Sequence, residues 1–464
     1  MKKLKQFIII FICIFAFVFI SVPASLFCHA DTNFTVVLPF NDYKAHIQPF
    51  LNDFCAFKTR IAGSENEKNA AIFIKNYIET NISGVSAVTD TSTVSGIQTF
   101  KFVSNNTGLY ETSQNVIFRY TPAQSTNKKV IICTNYDAPQ KYDAETGKFV
   151  SFDNDALNTS AASVAALVML AKTLPELHLN FNIEFVFFGA GEMNQEGSKF
   201  YTNGLSSDET ENILCVINLD KIALGEKTYF YIDEVSTKFS DYVAGVTTGF
   251  AKEIDLVHLA KIETGGELGL TYSHVANSSD NVKFMKRGIT TINFFAGSYE
   301  TGVSMGLCEY VGKPVLSYTD KDTIEYILAT YGENAIYENL YNVSCCVESL
   351  LNDSNFVSQT MAARGQTKWF YNVFANRQLV VFVTAVAFIV TIIVAMFIYY
   401  KLTVKSYYAN IEIEFLSSVM KISEQIGDGS DEKEVAKVVS QVIAGDIKKN
   451  KTLSPEKNKN KKKK

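Results

Sequence analysis

An uncharged apolar stretch near the C-terminus constrains this chain more than any other feature. No charged side chain occurs from Leu379 to Tyr400, and a helix of about 20 apolar residues spans the hydrocarbon core of a bilayer. A buried core helix is rarely so long, so we predict a transmembrane helix over residues 378–400. Lys401 and Lys405 come directly after it. Because positive charge favours the cytoplasmic side, we expect a single-pass cell-membrane protein with residues 31–376 outside.

A second apolar stretch lies at the N-terminus. Residues 7–22 are apolar, basic residues precede them, and small residues come after them near Ala24 and Ala30. This order is typical of a secretion signal, and the stretch is shorter than the ~20 residues that a spanning helix needs. We therefore predict a cleaved signal peptide over residues 1–30, with a retained N-terminal anchor as the alternative.

The charge distribution indicates where partners bind. The formal net charge of −5 gives no reason to expect nucleic acid. Residues 457–464 are nearly all lysine, and apolar residues recur at helical spacing in residues 411–426 and 435–447. We predict that residues 401–464 form a lysine-rich cytoplasmic tail with amphipathic helices. Such helices pack on each other as a hairpin, or they bind a protein partner or anionic lipid.

Between the two ends of the chain, strands alternate with helices. Apolar runs typical of buried strands end at residues 134, 188, 219 and 295, and a strongly apolar helix precedes the second of them. This order predicts a three-layer α/β/α fold with a mainly parallel mixed sheet. Ligands bind at the carboxyl ends of the strands in such sheets. Four polar residues lie just beyond these predicted strand ends: Asn135, Asp137, Glu192 and Asp220.

Several motifs resemble one known family. They are Arg60-Ile61-Ala62-Gly63-Ser64, Asn135-Tyr136-Asp137, Phe187-Phe188-Gly189-Ala190-Gly191-Glu192 and Ile217-Asn218-Leu219-Asp220. Their order and spacing are similar to those of the bacterial leucyl aminopeptidase-like zinc peptidases, whose relatives include transferrin receptor, nicastrin, nicalin and glutaminyl cyclase. The resemblance covers residues 45–350 and implies a zinc-aminopeptidase-like domain within residues 31–376.

The resemblance implies a two-zinc site, but other residues occupy several of its positions here. In active members the metals activate a water and a glutamate takes its proton. Asn135 matches the first ligand histidine, and Asp137 matches the aspartate that orients it. An ungapped alignment puts Thr159 at the aspartate that bridges both metals. Asp153 or Asp155 takes that place only if the loop shifts by several residues.

The remaining positions are altered in a similar way. Gly191 stands where the resemblance implies the glutamate base. Glu192 and Asp220, by contrast, match two metal ligands of the family and are kept. Asn281 and Tyr318 stand in place of histidines. Glycine cannot accept a proton, and the loss of a general base costs about 10²–10⁴ in rate. The resemblance therefore implies a degenerate member of the family, that is, a pseudoenzyme.

We expect this degenerate site to hold no metal. In this interpretation Asn135 and Asn281 donate hydrogen bonds to Glu192 and Asp220. The alternatives are zinc, or a single calcium or magnesium ion bound by Glu192 and Asp220. None of the five histidines of the chain falls at a ligand position: His29, His46, His178, His258 and His274.

The expected function is an extracellular binding or scaffold module with a protein or peptide ligand. The alternative is a membrane-bound metallo-aminopeptidase that hydrolyses the N-terminal residues of peptides through an atypical metal site. Both functions are expectations drawn from the resemblance. A fold alone does not fix a function, so the resemblance does not decide between them.

Overall fold

The structure is a computed structural model of the chain. It describes residues 37–232, 237–253, 279–298, 316–332, 334–370 and 377–425, together with 433, 435–437 and 439–441. The chain divides into two units, one ending at Ala375 and the other beginning at Asn376. The predicted signal peptide, residues 1–30, lies outside the described residues.

A nine-stranded sheet forms the middle of the first unit, and a two-stranded hairpin of β5 and β6 stands apart from it. The strands in chain order are β1 (Val85–Ala87), β2 (Ile97–Val103), β3 (Tyr110–Tyr120), β4 (Lys129–Asn135), β5 (Gln140–Asp143), β6 (Lys148–Ser151), β7 (Asn182–Phe188), β8 (Ile213–Leu219), β9 (Lys227–Ile232), β10 (Lys252–Glu253) and β11 (Thr291–Gly297).

The sheet is mixed, and its parallel part lies at the centre. The strand order is β1–β3–β7–β4–β8–β11–β9–β10, with β2 also beside β3. The neighbours β7, β4, β8 and β11 run parallel, as do β9 and β10. The pairs β1–β3, β2–β3, β3–β7 and β9–β11 are antiparallel. The predicted mixed sheet is confirmed, but only half of its strand pairs are parallel. The short connection between β2 and β3 makes that pair antiparallel, and β3 and β9 run antiparallel to β7 and β11 at the two borders of the parallel part.

Helices pack on this sheet in the first unit, and the described part of the second unit contains one long helix. In chain order they are α1 (Phe40–Cys55), α2 (Glu65–Asn81), α3 (Ala162–Thr173), α4 (Glu196–Gly204), α5 (Ser207–Asn212), α6 (Thr237–Thr247), α7 (Asn281–Met285), α8 (Ile324–Tyr331), α9 (Asn334–Asn352), α10 (Phe356–Phe370) and α11 (Arg377–Gln425). A π-helical turn, Leu157–Ala161, leads into α3.

Two hydrophobic cores lie on opposite faces of the sheet. Side chains alternate between the faces along a strand. On β4, Ile132 belongs to the larger core, whereas Ile131 and Cys133 belong to the smaller one. Helices α1, α2, α3 and α9 contribute to the larger core, and α4 and α7 contribute Tyr201 and Phe284 to the smaller one. The predicted three-layer α/β/α architecture is therefore confirmed for the first unit.

The second unit contains one uninterrupted helix, α11. Its part Ala385–Lys421 contains an 18-residue segment with a mean hydropathy of 2.2, none of which is buried, and is long and apolar enough to cross a membrane. Among the described residues a second helical stretch, Leu157–Glu176, has comparable length and hydropathy, but its apolar segment is 94% buried, as expected of a core helix. Since α11 continues beyond residue 400 without a break, no change of secondary structure marks the predicted boundary between membrane helix and tail. Both remain predictions.

A buried carboxylate joins the strands that carry the candidate site. Glu184 on β7 has a side chain only 3% exposed, and its Oε2 accepts hydrogen bonds from Arg119 on β3 at 2.7 Å and from Lys129 on β4 at 3.2 Å. The hydroxyl of Tyr201 donates to the other carboxylate oxygen. Burial would raise the pKa of Glu184, but the charges of Lys129 and Arg119 outweigh burial and lower it.

Replacing Glu184 by alanine should therefore destabilise the first unit strongly. The change leaves the nearly buried ammonium group of Lys129 without its counter-ion, so we expect the free energy of unfolding in urea to fall by about 3–5 kcal/mol. The control is Glu79→Ala, which removes a surface pair with Lys75 and should cost less than about 1 kcal/mol. Equal effects of the two changes would contradict this role for Glu184.

Candidate functional site

The ends of three neighbouring strands bring most of the predicted site residues together. β4 ends at Asn135, the loop after β7 carries Gly191 and Glu192, and Asp220 comes directly after β8. These strands are adjacent and parallel, so their carboxyl ends meet at one edge of the sheet. Tyr318 reaches the same edge from a segment much further along the chain. This edge is the candidate site.

Asp137 organises the loop after β7. Its buried carboxylate accepts hydrogen bonds from the backbone N–H of Gly191 at 2.9 Å and of Glu192 at 3.0 Å. The side-chain amide of Asn135 also donates to it, at 3.2 Å. Burial, reinforced by the charge of Glu192, raises the pKa of Asp137 well above its usual range. Asp137 therefore holds the loop after β7 in place through two backbone hydrogen bonds.

The backbone at Gly191 leaves no space for a side chain. A Cβ atom at this position would lie 2.4 Å from Cβ of Asn135 and 3.1 Å from Oδ1 of Asp137. Packed protein interiors do not tolerate such contacts without movement of the backbone. At the position where the resemblance implies a glutamate base, the loop therefore lies too close to the end of β4 for any side chain to begin there.

The ammonium group of Lys221 interacts with both retained carboxylates, those of Asp220 and Glu192. Its Nζ donates to Oδ1 of Asp220 at 2.9 Å, and the two side chains are only 11% and 15% exposed. Burial raises the pKa of Glu192, and the positive charge of Lys221 partly offsets that rise. Burial would lower the pKa of Lys221 itself, but Asp220, Tyr318 and Glu192 outweigh it and raise this pKa well above its usual value. Lys221 is therefore charged at neutral pH.

Tyr318 completes the cluster from the solvent side. The residue is 37% exposed, and the centre of its ring lies 5.5 Å from Nζ of Lys221, within the range of a cation–π contact. Its hydroxyl interacts with the carboxylate of Glu192. Burial of the hydroxyl and the charge of Glu192 both raise the pKa of Tyr318. The phenol is therefore neutral, and at a position where the resemblance implies a histidine it acts as a partner of Lys221 and Glu192.

Three residues of this region have left-handed backbones. The φ angles are 49° at Ala190, 53° at Lys221 and 61° at Tyr318. For residues with a side chain this conformation costs roughly 1–2 kcal/mol each. Strained residues of this kind persist where the surrounding structure holds them, and here they aim Lys221 and Tyr318 at the carboxylates.

The two amide side chains expected to fill the site behave differently. Nδ2 of Asn135 lies 3.5 Å from Oε1 of Glu192, at the long end of a hydrogen bond. Asn281 is buried in α7, and its Nδ2 donates to the sulfur of Met285 at 3.4 Å. Asp220, the expected partner of Asn281, instead accepts from Lys221. The expected hydrogen bond of Asn281 was thus wrong, because the next residue after Asp220 supplies a stronger, charged donor.

Thr159 makes its contacts with a different carboxylate. Its backbone N–H and its hydroxyl donate to Oδ2 of Asp322, at 3.1 and 2.6 Å. Asp155, a candidate replacement for the bridging ligand, accepts from the backbone N–H of Ile324 at 3.0 Å. Both segments are thus joined to the chain around residue 322, which carries the turn before α8.

Two further residues of the site region were missed from the sequence. Lys221 was overlooked although it is the residue directly after a retained ligand position. Glu67 stands three residues after Ser64, which is the spacing of a capping box. Ser64 does accept from the N–H of Glu67 at 3.1 Å, but the carboxylate of Glu67 accepts from the N–H groups of Gly63 and Ala190, at 2.7 and 3.0 Å. It therefore supports the loop after β7, a long-range contact that no local pattern signals.

The described residues do not fit a pair of zinc ions. Zinc prefers four ligands drawn from histidine, cysteine and carboxylates. The site offers the carboxylates of Glu192 and Asp220, and Lys221 already donates to Asp220. No group of three or more histidine, cysteine, aspartate or glutamate side chains suited to a metal occurs within the described ranges. His258 and His274 lie outside those ranges.

The chain is similar to known peptidases. Residues 115–336 match the model of peptidase family M28. Aminopeptidase YwaD of Bacillus subtilis (strain 168) is 26% identical over 193 residues, which cover 41% of this chain and 37% of that protein. Leupeptin-inactivating enzyme 1 of Streptomyces exfoliatus is 29% identical over 149 residues, or 32% of this chain and 29% of that protein. The chain thus spans less than half the length of these curated relatives.

Solved structures with related architecture include two bacterial enzymes. BSAP, a zinc aminopeptidase from Bacillus subtilis, matches with a TM-score of 0.46 and 15% identity, over 68% of this chain and 95% of that chain. Porphyromonas gingivalis glutaminyl cyclase matches with a TM-score of 0.44 and 16% identity, over 68% and 98%.

The supporting carboxylate Glu67 should make stability depend on pH. Burial raises its pKa to about 7 in the folded protein, whereas a glutamate in an unfolded chain titrates near 4.3. Between these values the folded state holds a proton that the unfolded state lacks. The protonated carboxyl group of Glu67 therefore contributes about 3 kcal/mol to the free energy of unfolding. This contribution is complete below about pH 4 and is lost as the pH rises through 7.

A glutamine at position 67 cannot titrate. The free energy of unfolding of the wild type minus that of Glu67→Gln should therefore fall by up to about 3 kcal/mol between pH 5 and pH 8, as measured by urea unfolding. The control is Glu65→Gln, at an exposed position in the same helical turn. If the difference between wild type and Glu67→Gln does not change with pH, the carboxyl group of Glu67 is ionised throughout.

Proposed function

We propose that the first unit, whose residues 115–336 match the model of peptidase family M28, is a pseudopeptidase. In this proposal the domain keeps the aminopeptidase-like fold and serves as a binding or scaffold module for a protein or peptide ligand. It hydrolyses no peptide bond.

The observation that carries this proposal is the packing at Gly191. The loop after β7 approaches the end of β4 so closely that a Cβ atom at 191 would lie 2.4 Å from Cβ of Asn135. Every residue except glycine has a Cβ at position 135 as well, so the closeness does not depend on the asparagine. A glutamate base fits here only if the loop retreats, and the two N–H groups donating to Asp137 oppose that movement.

The chemistry of the remaining groups supports the same proposal. Peptide hydrolysis needs an activated water and a base that takes its proton. Glu192 interacts with Asn135, Lys221 and Tyr318, and Asp220 is paired with Lys221. Both retained carboxylates are thus engaged by neighbours in the protein, which leaves neither of them as a free base.

A metallo-aminopeptidase is the second candidate. In its favour, the chain resembles aminopeptidase YwaD and retains Glu192 and Asp220 at ligand positions. This candidate requires Lys221 to leave Asp220 so that zinc, calcium or magnesium can bind, and it requires another group to act as the base.

We further propose that α11 anchors this unit in the cell membrane by a single pass. The apolar stretch Ala385–Lys421 is supported as a spanning segment by its length and hydropathy. Lys401 and Lys405 follow the uncharged part of this helix, which ends at Tyr400, and favour a cytoplasmic location for the C-terminal tail. The unit ending at Ala375 would then face the outside. The lysine-rich tail would bind a protein partner or anionic lipid on the inside.

The purified full chain should not hydrolyse aminoacyl-fluorogenic substrates above background, with or without added zinc, because it has no base at position 191. The matched control is Glu192→Gln, which should give the same background rate. Hydrolysis by the wild type that is abolished by both Glu192→Gln and a chelator would overturn the pseudopeptidase proposal in favour of the second candidate.

The membrane anchor can be tested by extraction of cell membranes. The full chain should stay in the membrane pellet after washing at alkaline pH and should dissolve only in detergent, because the apolar surface of α11 is then covered by lipid or detergent. A chain that ends at Ala375 should be released. Release of the full chain by the alkaline wash would exclude a spanning helix.

A further inference from the structure

Lys221 directly follows the retained ligand position Asp220, and its side chain folds back to pair with the Asp220 carboxylate. Its Nζ lies 2.9 Å from Oδ1 of Asp220, and its charge also acts on Glu192. The left-handed backbone at Lys221, with φ of 53°, is unfavourable for a lysine. The side chain is therefore held in this place at a conformational cost, unlike a lysine that merely pairs with a neighbour at the surface.

The surroundings of Lys221 contain an excess of carboxyl groups. Two further buried carboxyl groups lie close to Asp220 and Glu192. The charge of Glu192 raises the pKa of Asp137, and the charges of Asp220 and Glu192 raise the pKa of Asp280. Carboxylates gathered in a region of low dielectric repel one another unless a cation lies among them. In the zinc peptidases that this chain resembles, that charge is supplied by metal.

We infer that Lys221 is an internal cation that takes the place of the metal in this site. Its ammonium group is paired with Asp220 and partly offsets the negative charge of Glu192, so the site has a cation without taking up an ion from solution. This inference rests on the pseudopeptidase proposal, since an active enzyme would need these carboxylates for its metal.

The same geometry opposes metal binding. A zinc ion on Asp220 would lie about 2.0–2.2 Å from its oxygen, whereas the ammonium nitrogen already stands 2.9 Å from Oδ1. Two cations at such close range repel strongly in a poorly solvated site. Lys221 would have to swing away, yet its side chain is 11% exposed and also contacts the ring of Tyr318. The lysine therefore excludes a metal as well as replacing it.

The test is the response of Lys221→Met to metal. Methionine keeps most of the length of the side chain and removes its charge, so buried carboxylates are left without a cation. We expect the full chain carrying this change, purified in detergent, to melt about 5–10 °C below the wild type. Zinc should then raise its melting temperature, and about one zinc per chain should remain after dialysis. The wild type should show neither effect, and a chelator should leave its melting temperature unchanged.

Two controls make the assignment specific. Lys141→Met removes a lysine that pairs with Asp320 at the surface, where the two side chains are 42% and 58% exposed. It should change neither melting nor metal content. Adding Glu192→Gln to Lys221→Met should abolish the zinc response, which locates the ion at this site and not at a cysteine or histidine elsewhere.

A second variant covers the case in which Lys221→Met does not fold. In Asp220→Asn/Lys221→Met both members of the ion pair are neutral, so the chain should regain folding without gaining zinc. Failure of this double variant to fold would mean that Lys221 acts by packing, and it would overturn the inference.

Two other results would also overturn the inference. One is stoichiometric zinc in the wild type, and the other is a folded Lys221→Met variant whose melting temperature and metal content do not change with zinc. Peptide hydrolysis by the wild type would instead overturn the pseudopeptidase proposal, whatever Lys221→Met does.

Discussion

The site depends on the buried carboxylate of Asp137, which accepts the backbone N–H groups of Gly191 and Glu192. These two hydrogen bonds fix the loop after β7 against the end of β4. A buried N–H without a partner costs about 1–3 kcal/mol, so each bond resists displacement of the loop. This attachment sets the position of Glu192 and, through it, the cluster with Lys221 and Tyr318. The aspartate that orients a metal ligand in the resembling family acts here as a clamp on the backbone.

Electrostatic balance is the second constraint on the site. Burial alone raises the pKa of Glu192, Asp137 and Asp280, which means that the fold disfavours their charged forms. The charge of Lys221 offsets part of this penalty for Glu192, and backbone N–H groups do so for Asp137. Glu184 is balanced in the same way by Lys129 and Arg119 in the middle of the sheet. The sheet and its carboxyl edge thus use lysines as counter-ions for carboxylates that the fold removes from water.

The amino-acid sequence predicted the parts of this structure that arise from local patterns. The apolar runs of β4, β7 and β8 are buried strands, and their ends do bring Asn135, Glu192 and Asp220 to one edge. The sequence did not predict the antiparallel half of the sheet, because strand direction depends on connections whose turns carry weak signals. It missed the partners of Glu67 and Asn281 for a similar reason. Glu67 reaches across to Ala190, and such contacts depend on tertiary packing that no spacing along the chain encodes.

The altered residues of the site depend on one another. Gly191 permits the close approach of the loop, and that approach brings Asn135 within reach of both Asp137 and Glu192. Glu192 in this position faces Lys221, whose charge replaces what a metal would supply. Restoring a glutamate at 191 in isolation would push the loop from β4, and restoring a histidine at 135 would leave Lys221 on Asp220. Residues that share contacts in this way do not change additively. The departure from the zinc-peptidase pattern is therefore one coupled rearrangement, in which a lysine and a glycine are as much a part of the site as the two carboxylates that it kept.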